Sequence, residues 1–203
     1  VSREPGRGRV DLIPAAAGVR FAEMRLEYRM AQGAQSLAEA RSSAERQVTT
    51  FLGPALQNFD AVIFDCPPAL SLVAQAAIAI SDLTITPVIP DEVNAVSTAN
   101  FIDNIANPND PDFAITDASR VRVLFSKYRR TPLADRAMER IRCGVGGALN
   151  HTVRLSDALA KAGLRPTRNA RRTPSQKYGT ELERMTRLVG EIAETIGVQP
   201  YVG

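Results

Sequence analysis

The sequence predicts an α/β fold with a doubly wound, mostly parallel sheet and helices on both faces. Apolar runs of strand length alternate along the chain with stretches of helical periodicity, which favours parallel pairing of the strands. One run, Ala61 to Phe64, is apolar without alternation, as is typical of a strand buried on both faces. With 44% hydrophobic residues the chain can bury a substantial core, and we expect residues 1–203 to form a single domain.

The predicted strands are short apolar runs with clear boundaries. The first covers Val10 to Ile13 and ends at the proline that follows, and the second is the run that begins at Ala61. The third, from Leu83 to Ile89, is weakened by Pro87, which has no backbone N–H to donate. The last covers Val121 to Phe125.

Helices are predicted between these strands. Ser36 and Glu39 have the spacing of a capping box and open a helix that runs toward Leu56. Leu72 to Ile80 is an alanine-rich helix. The next helix has an apolar face formed by Val96, Ala99, Ile102 and Ile105. Turn-forming residues at 107–117 then indicate a surface loop.

Two more helices follow the last strand. Thr131 as N-cap and Pro132 at the first helical position begin a helix that runs toward Arg142. Pro174 opens a long final helix that Gly197 closes. Its apolar stripe consists of Tyr178, Leu182, Met185, Leu188, Val189, Ile192 and Ile196.

Composition excludes several classes of protein. No apolar run approaches the roughly 18 residues that span a membrane, and the first residues lack the apolar centre of a signal peptide, so we expect a cytoplasmic location. Cys66 and Cys143 form no CxxC pair and His151 is the single histidine, which leaves little for zinc. A nucleophilic role for Cys66 is disfavoured because no histidine is near it in sequence.

The net charge of +3 hides a strong asymmetry. From Arg120 to Lys177, hereafter the basic segment, fifteen Arg or Lys residues stand against three acids, which gives +12 there and −9 elsewhere. This excess favours a protein that binds phosphate backbones, although a solvated arginine-rich surface is the simpler alternative. Aromatic residues are scarce in the segment, so contact with a duplex backbone is favoured over base stacking.

Asp65 stands out within the stretch FDAVIFDCPPAL, where it follows the apolar run directly. Ligands of open α/β sheets bind beyond the carboxyl ends of the strands, and the two prolines that follow stop the ladder there. Asp65 is therefore a candidate ligand-binding carboxylate. The alternative is that it caps the helix that follows.

Several segments of the sequence, in their order along the chain, resemble the ParA/MinD family of deviant Walker-type ATPases, and within it the partition branch of ParA and RepA-type proteins. FDAVIFDCPPAL resembles the family's Walker B element, and VDLIPA, TPVIPDEVNAVS, VLFSKYRRTPLADRAMERIR and HTVRLSDALAKAG resemble its other segments. The resemblance implies a P-loop NTPase fold and a role in plasmid partition or chromosome segregation. It also implies ATP and Mg²⁺ as cofactors, a nucleotide-dependent homodimer, non-specific duplex DNA on the nucleoid, and a centromere-binding partner that stimulates hydrolysis.

The resemblance assigns nucleotide-site roles to five residues. Asp65 would act in catalysis by holding Mg²⁺ through water, a role that suits a hard oxygen ligand, and Pro67 belongs to the same element. Ser126 and Lys127 follow a strand at the position where family members approach the base. Asn150 lies where the family often has Pro-Arg-Asn, and its amide could hydrogen-bond a base edge. For these last three residues, ordinary surface polarity is the alternative.

Two arginines match the family positions that carry non-specific DNA binding. Arg130 precedes the helix from Pro132, and Arg154 lies in Val-Arg-Leu-Ser. Both fall within the basic segment. The alternative is that they are ordinary surface arginines.

The sequence departs from the family at the phosphate loop. Neither GxxxxGK[ST] nor KGGxGK[ST] occurs, CGVGGALN has no lysine, and GRGRV precedes a strand rather than a helix. We therefore expect the chain to lack the family's first strands, either as a fragment of a longer product or as a degenerate member. The alternative function is a non-catalytic DNA-binding or regulatory module. A MinD-like membrane role is disfavoured because the last helix is rich in glutamate rather than basic and amphipathic.

Titration of this chain with ATP and Mg²⁺ is expected to give no saturable heat, and hydrolysis should stay at background. Positioning and charge neutralisation supply nearly all of phosphoryl-transfer catalysis, and the loop that provides them does not occur in this sequence. Isothermal titration calorimetry makes the measurement. A saturable site of micromolar affinity would contradict the expectation.

Overall fold

A computed structural model of the chain describes residues 11–13, 21, 24–25, 28–29, 32, 36–68, 70–107, 109, 114–145, 147–162 and 173–198. Two compact units divide the chain. The first comprises residues 1–81 with 201–203, and the second comprises residues 82–200. Each unit has its own cluster of buried apolar side chains.

Two helices form the buried cluster of the first unit, α1 (Leu37–Asn58) and α2 (Leu72–Ile80). Ser36 and Glu39 form the predicted capping box at the start of α1. The Glu39 amide donates to Ser36 Oγ over 3.2 Å, and the Ser36 amide donates to Glu39 Oε2 over 3.4 Å. Ser71 caps α2 in the same way, since its Oγ accepts a hydrogen bond from the third residue of the helix. Both helix predictions are confirmed.

Small side chains form the contact between α1 and α2. The buried residues of this cluster are Ala40, Ala44, Leu72 and Ala76. Alanine at three of the four positions lets the two helix backbones approach closely. Beside the cluster, Arg41 Nε donates to Gln75 Oε1 over 3.3 Å, so the contact has a polar link as well as an apolar one.

The two strands predicted in the first unit are wrong as far as they can be compared. Ala61–Phe64 has no regular secondary structure, and Ile63 is 90% exposed instead of buried. Of the strand predicted at residues 10–13, positions 11–13 are described, and these are irregular with an exposed Leu12. A strand needs a neighbour to satisfy its backbone groups, and the described part of this unit contains no strand that could pair with either run.

A parallel sheet forms the centre of the second unit. Strand β1 (Thr84–Val88) leads through helix α3 (Glu92–Ala106) to strand β2 (Val121–Phe125). The strands pair in parallel from Thr84 opposite Val121 to Val88 opposite Phe125. The predicted strands and their parallel arrangement are confirmed here, within a sheet that is smaller than the doubly wound one expected.

A third stretch of chain, Gly147–Leu155, runs parallel to β2 along its other edge; we call it the edge segment. The amide of Val123 donates to the carbonyl of Gly147 over 3.0 Å, and the amide of Leu149 donates back to Val123 over 2.8 Å. Glycine at position 147 avoids a tight contact, because a Cβ atom there would lie 3.0 Å from the carbonyl oxygen of Val121. The sheet thus extends beyond its two regular strands.

In the described residues of this unit, further helices follow β2: α4 (Pro132–Val145), α5 (Asp157–Ala162), α6 (Pro174–Tyr178) and α7 (Glu181–Thr195). The predicted start of α4 is confirmed, because Thr131 Oγ1 accepts a hydrogen bond from the Ala134 amide over 3.1 Å. The sequence reading did not predict α5 as a separate helix.

The predicted long final helix is wrong, because the chain breaks between α6 and α7. Gly179 adopts φ of +54°, in the left-handed region that an α-helix cannot contain, so α6 ends before it and α7 begins after it. Gly197, with φ of +71°, follows the end of α7 as predicted. Gly179 therefore divides the residues of the predicted apolar stripe between two helices.

The core of the second unit joins β1, β2, α3 and α4. Its buried members are Val88, Ala95, Ile102, Ile105, Ala106, Val121, Val123, Phe125, Met138 and Ile141. Ile102 and Ile105 lie on the buried face of α3 as predicted. Val96 does not, because it is exposed and Ala95 is buried instead, so the apolar face is rotated by about one residue. No helix in the described part of the chain has the length and apolar character to cross a membrane.

Ile141→Ala is expected to lower the free energy of unfolding by about 2–5 kcal/mol, because it removes a buried side chain from this core and leaves a cavity. Ile141 is 1% exposed, whereas Leu133 on the same helix is 70% exposed. Leu133→Ala is therefore the matched control and should change stability by less than about 0.5 kcal/mol. Urea unfolding of both variants makes the comparison, and equal effects would contradict the packing of α4.

Candidate functional site

Asp65 lies in the irregular stretch 61–67 of the first unit and is exposed, as is Pro67. Its position at the carboxyl end of a regular strand, which the sequence predicted, is not formed. Among the described residues, no group of three or more His, Cys, Asp or Glu side chains could hold a metal ion. A lone exposed carboxylate fits Mg²⁺ only as a partner of its water shell.

The surroundings of the neighbouring Cys66 do not favour the thiolate that a nucleophile requires. Partial burial of the sulfur raises the pKa of the Cys66 thiol, and the charge of Asp65 raises it further. A raised pKa lowers the fraction of reactive thiolate near neutral pH. These surroundings therefore do not activate the Cys66 thiol.

The residues present do not by themselves fit ATP. Binding of the phosphates requires a cradle of backbone N–H groups with a lysine at a helix N-terminus, and no such motif occurs in the sequence. Asp65 supplies carboxylate oxygens and nothing that neutralises phosphate charge. No catalytic step can be assigned to this chain through the nucleotide.

The second unit places Ser126 and Lys127 directly after β2. The Ser126 amide donates to the carbonyl of Val88 over 2.8 Å, so this residue extends the pairing with β1 by one bond. Lys127 is exposed and has φ of +50°, which is unusual for a residue with a side chain and costs about 1–2 kcal/mol. The backbone therefore turns sharply at Lys127, and the turn leads into Tyr128.

Tyr128 joins the two loops that carry the predicted DNA-binding arginines. Its amide donates to the carbonyl of Val153, and its carbonyl accepts from the amide of Leu155, each over 3.1 Å. These two bonds place Arg154 opposite Tyr128 in a parallel bridge. Arg130 lies two residues further along the same loop, and both arginines are exposed.

The charges of Asp135, Arg130 and Arg154 all act on Tyr128. Its hydroxyl donates to Asp135 Oδ1 over 2.7 Å. This hydrogen bond, with burial and the Asp135 charge, raises the pKa of Tyr128, while Arg130 and Arg154 both act to lower it. Two guanidinium charges separated in sequence thus lie within electrostatic range of one phenol.

Asn150 lies where the edge segment leaves the ladder of β2. Tyr128 follows Val123 by five residues, whereas Arg154 follows Ala148, the partner of Val123, by six. The edge segment thus has one more residue overall between the two bridges, and two more between the Leu149–Val123 and Val153–Phe125 hydrogen bonds, where it loops out of the ladder; we call this loop the bulge. Asn150 and the two residues after it occupy this bulge, so their amides are free for other partners.

Glu191 of α7 supplies the acceptor for the bulge. Its Oε1 accepts from the Asn150 amide over 2.6 Å, and its Oε2 accepts from the His151 amide over 3.0 Å. His151 Nδ1 lies 2.7 Å from the same Oε2, and because a carboxylate can only accept, this contact requires a proton on Nδ1. The backbone donor of Asn150 is thereby occupied, although its side-chain amide is not part of the contact.

The carboxylate form of Glu191 is favoured by these partners. Burial acts to raise the pKa of Glu191, but the hydrogen bonds from the Asn150 and His151 amides and from the His151 ring, with the charge of that ring, outweigh it and lower the pKa. The Glu191 side chain is 14% exposed, so the three donors lie in a partly dry setting. An ionised Glu191 fits this site better than a protonated one.

The sequence reading missed Glu191 and Tyr128. A signal for Glu191 did exist, because it lies three residues after Leu188 and beside Ile192 in the apolar stripe of the last helix. A glutamate at such a position needs a partner when the stripe is buried. The sequence gives no indication of which residue that partner is.

An open groove of about 240 Å³ lies between α3 and α4. Its lining is mostly apolar and consists of Ala95, Val96, Ala99, Asn100, Arg140, Ile141, Gly144 and Val145. None of the site residues predicted from sequence lines it. The groove therefore adds nothing to the nucleotide or DNA assignments.

A protein-family model described as an AAA domain matches residues 5–114. This match covers more than half of the chain, which therefore belongs to this family of ParA/MinD-like P-loop NTPases. The matched residues include Asp65 and end before β2 and the basic segment. No curated protein and no solved structure matches the chain.

Glu191→Gln is expected to lower the free energy of unfolding by about 1–3 kcal/mol near neutral pH, because hydrogen bonds to a charged acceptor contribute about that much. The pKa of Glu191 is lower in the folded protein than its ordinary value of 4.5, so the contribution is fully present above pH 4.5 and disappears as the pH falls through the lower folded-state pKa. Denaturant titrations of wild type and variant from about pH 7 to about pH 3 should show the difference narrowing at the acid end.

Glu194→Gln is the matched control for this experiment, because Glu194 is exposed on the same helix. It should change stability by less than about 0.5 kcal/mol at any pH. A difference between wild type and Glu191→Gln that stayed constant with pH would contradict the assigned contacts.

Proposed function

We propose that this chain is a ParA-like protein of plasmid partition or chromosome segregation, and that its basic segment binds duplex DNA through the phosphate backbone. Membership of the ParA/MinD-like P-loop NTPase family supports the ATPase relationship. The partition role and the binding of DNA rest on the sequence resemblance and on the arrangement of the basic segment.

The observation that carries the proposal is the bridge between Tyr128 and Arg154. It brings the Arg154 loop beside the loop of Arg130, so that two exposed cations serve one small area of surface. Their charges belong to a segment with a local excess of +12. Paired guanidinium groups suit phosphate oxygens because each offers several N–H donors in a fixed plane.

Asp157 and Asp135 are the acids nearest to this pair along the chain, and the contacts of Asp135 limit its interference. One of its oxygens, Oδ1, accepts the Tyr128 hydroxyl proton over 2.7 Å. The carboxylate is thus turned toward the phenol, and it helps fix the ring that lies between the two arginine loops. Asp135 reduces the local positive potential without removing it.

The arrangement favours binding that is independent of base sequence. Phosphate contacts position a protein on a duplex but carry no sequence information, and the surface offers few aromatic side chains for stacking. A protein that contacts only phosphate groups can bind any duplex, whatever its base sequence. We propose accordingly that the chain associates with nucleoid DNA in the cytoplasm, as a homodimer in its complete form and with a centromere-binding partner.

A second candidate is a non-catalytic DNA-binding module. The observation that favours it is the lack of a phosphate loop in the sequence, which would make DNA binding independent of ATP. The two candidates differ in one measurement. Affinity for duplex DNA that rises when ATP and Mg²⁺ are added supports the partition ATPase, whereas unchanged affinity supports the nucleotide-independent module.

Arg130→Glu and Arg154→Glu are each expected to weaken binding to two unrelated duplexes by the same factor, because the lost contact is to phosphate. Each substitution should also flatten the slope of log affinity against log salt concentration by roughly one unit. Fluorescence anisotropy titrations over a range of salt concentrations measure both quantities.

Arg46→Glu is the matched control, since Arg46 is an exposed arginine of α1 outside the basic segment. The charge change is identical, so an effect that depends only on net charge would appear in all three variants. If the control weakens binding as much as the other two, or if all three leave the salt slope unchanged, Arg130 and Arg154 are solvated surface residues.

A further inference from the structure

Glu191 makes an unusual set of contacts for a glutamate on a long helix. Its two carboxylate oxygens accept from the amides of Asn150 and His151 and from the His151 ring, about forty residues earlier in the chain. Two of the three donors are backbone groups, which a side-chain substitution on the edge segment could not remove. Glu191 therefore acts on the path of the backbone.

The backbone path that Glu191 holds is the bulge of the edge segment. Before the bulge, the Leu149 amide pairs with Val123, and after it the Val153 amide donates to the carbonyl of Phe125 over 2.8 Å. The amides of Asn150 and His151, between these two points, have Glu191 as their acceptor. Without it, two donors would be left without a partner, at a cost of about 1–3 kcal/mol each where they are shielded from water.

The bulge decides which residue is paired with Tyr128. With the bulge in place, Arg154 lies opposite Tyr128. If the edge segment continued the ladder from Leu149 without interruption, His151 would take the place of Val153 at Phe125, a shift of two residues or about 6–7 Å along the strand. Arg154 would then lie beyond Tyr128 instead of opposite it.

We infer that Glu191 is a positioning residue for the Arg130–Arg154 pair, because it stabilises the bulge that places Arg154 beside Tyr128. This inference rests on the proposed function, in which the pair contacts DNA phosphates. It deepens that proposal by adding a residue from α7 that carries a negative charge and does not itself contact the nucleic acid.

Glu191→Ala tests the inference because its expected effect has the opposite sign to a simple charge effect. Loss of a negative charge should by itself strengthen binding to a polyanion. If Glu191 positions Arg154, the variant should instead bind duplex DNA about fivefold more weakly and show a salt slope flattened by roughly one unit. Glu194→Ala, the same charge change on an exposed site of the same helix, should not weaken binding.

A double-mutant comparison separates positioning from a general loss of stability. In a protein that already carries Arg154→Ala, the further change Glu191→Ala should have little additional effect on affinity, since the residue that it positions is gone. In a protein that carries Arg120→Ala instead, the effect of Glu191→Ala should persist in full. Additive effects in both backgrounds would overturn the inference.

Amide hydrogen exchange gives a readout that does not depend on DNA. In Glu191→Ala the amides of Asn150 and His151 should exchange faster, and so should that of Leu155, whose bond to Tyr128 depends on the register. The Leu149 amide, which lies before the bulge, is the internal control and should stay protected. Unchanged protection at Leu155 would overturn the inference even if DNA binding were weakened.

The same design distinguishes failure of this inference from failure of the proposed function. If wild type and Arg154→Ala bind DNA equally, the proposed function fails, while the exchange data still decide whether Glu191 holds the register. If Glu191→Ala does not fold, Glu191→Gln replaces it. Glutamine keeps one acceptor oxygen, so its losses of affinity and amide protection should lie between those of wild type and a complete loss, and wild-type behaviour would count against the inference.

Discussion

The second unit depends on the backbone of β2, which is paired along both of its edges. Val123 and Phe125 are completely buried, so no water can replace a lost ladder bond there. One edge binds β1, and the other binds the edge segment. Because the chain leaves β2 through Ser126 and the turn at Lys127, the sheet also determines where the Arg130 loop begins and which part of the Arg154 loop it meets.

The parts of the fold that were predictable are those encoded by neighbouring residues. Thr131 begins α4, and the mostly apolar run at Val121 forms β2, because cap chemistry and apolar character act locally. Ala61–Phe64 has the same apolar character and forms no strand, since strand formation needs a partner that the run itself cannot supply. At Gly179 the opposite occurs. The apolar periodicity of a helix continues through this residue, but its positive φ interrupts the helix.

The residues of the candidate site also divide into those that the sequence indicates and those that it does not. Arg130 and Arg154 were found by resemblance to segments of a family, and the bridge at Tyr128 explains how distant segments can serve one surface. Glu191 was visible in the sequence only as a glutamate in an apolar stripe. Its role follows from contacts across about forty residues and from the register of a bulge, and periodicity encodes neither. Sequence therefore indicates the groups that contact a ligand more readily than those that hold them in place.

The bulge also constrains the number of residues in the edge segment. Between Gly147 and Leu155 the chain is joined to β2 before and after the bulge, so the number of residues between these attachments is fixed by the hydrogen bonds at its two ends. Exposed side chains of the stretch, such as Asn150, can vary in size or polarity while the ladder remains intact. Gain or loss of one residue would instead shift Arg154 against Tyr128, so the exposed positions of this loop should tolerate substitution far better than the loop tolerates a change of length.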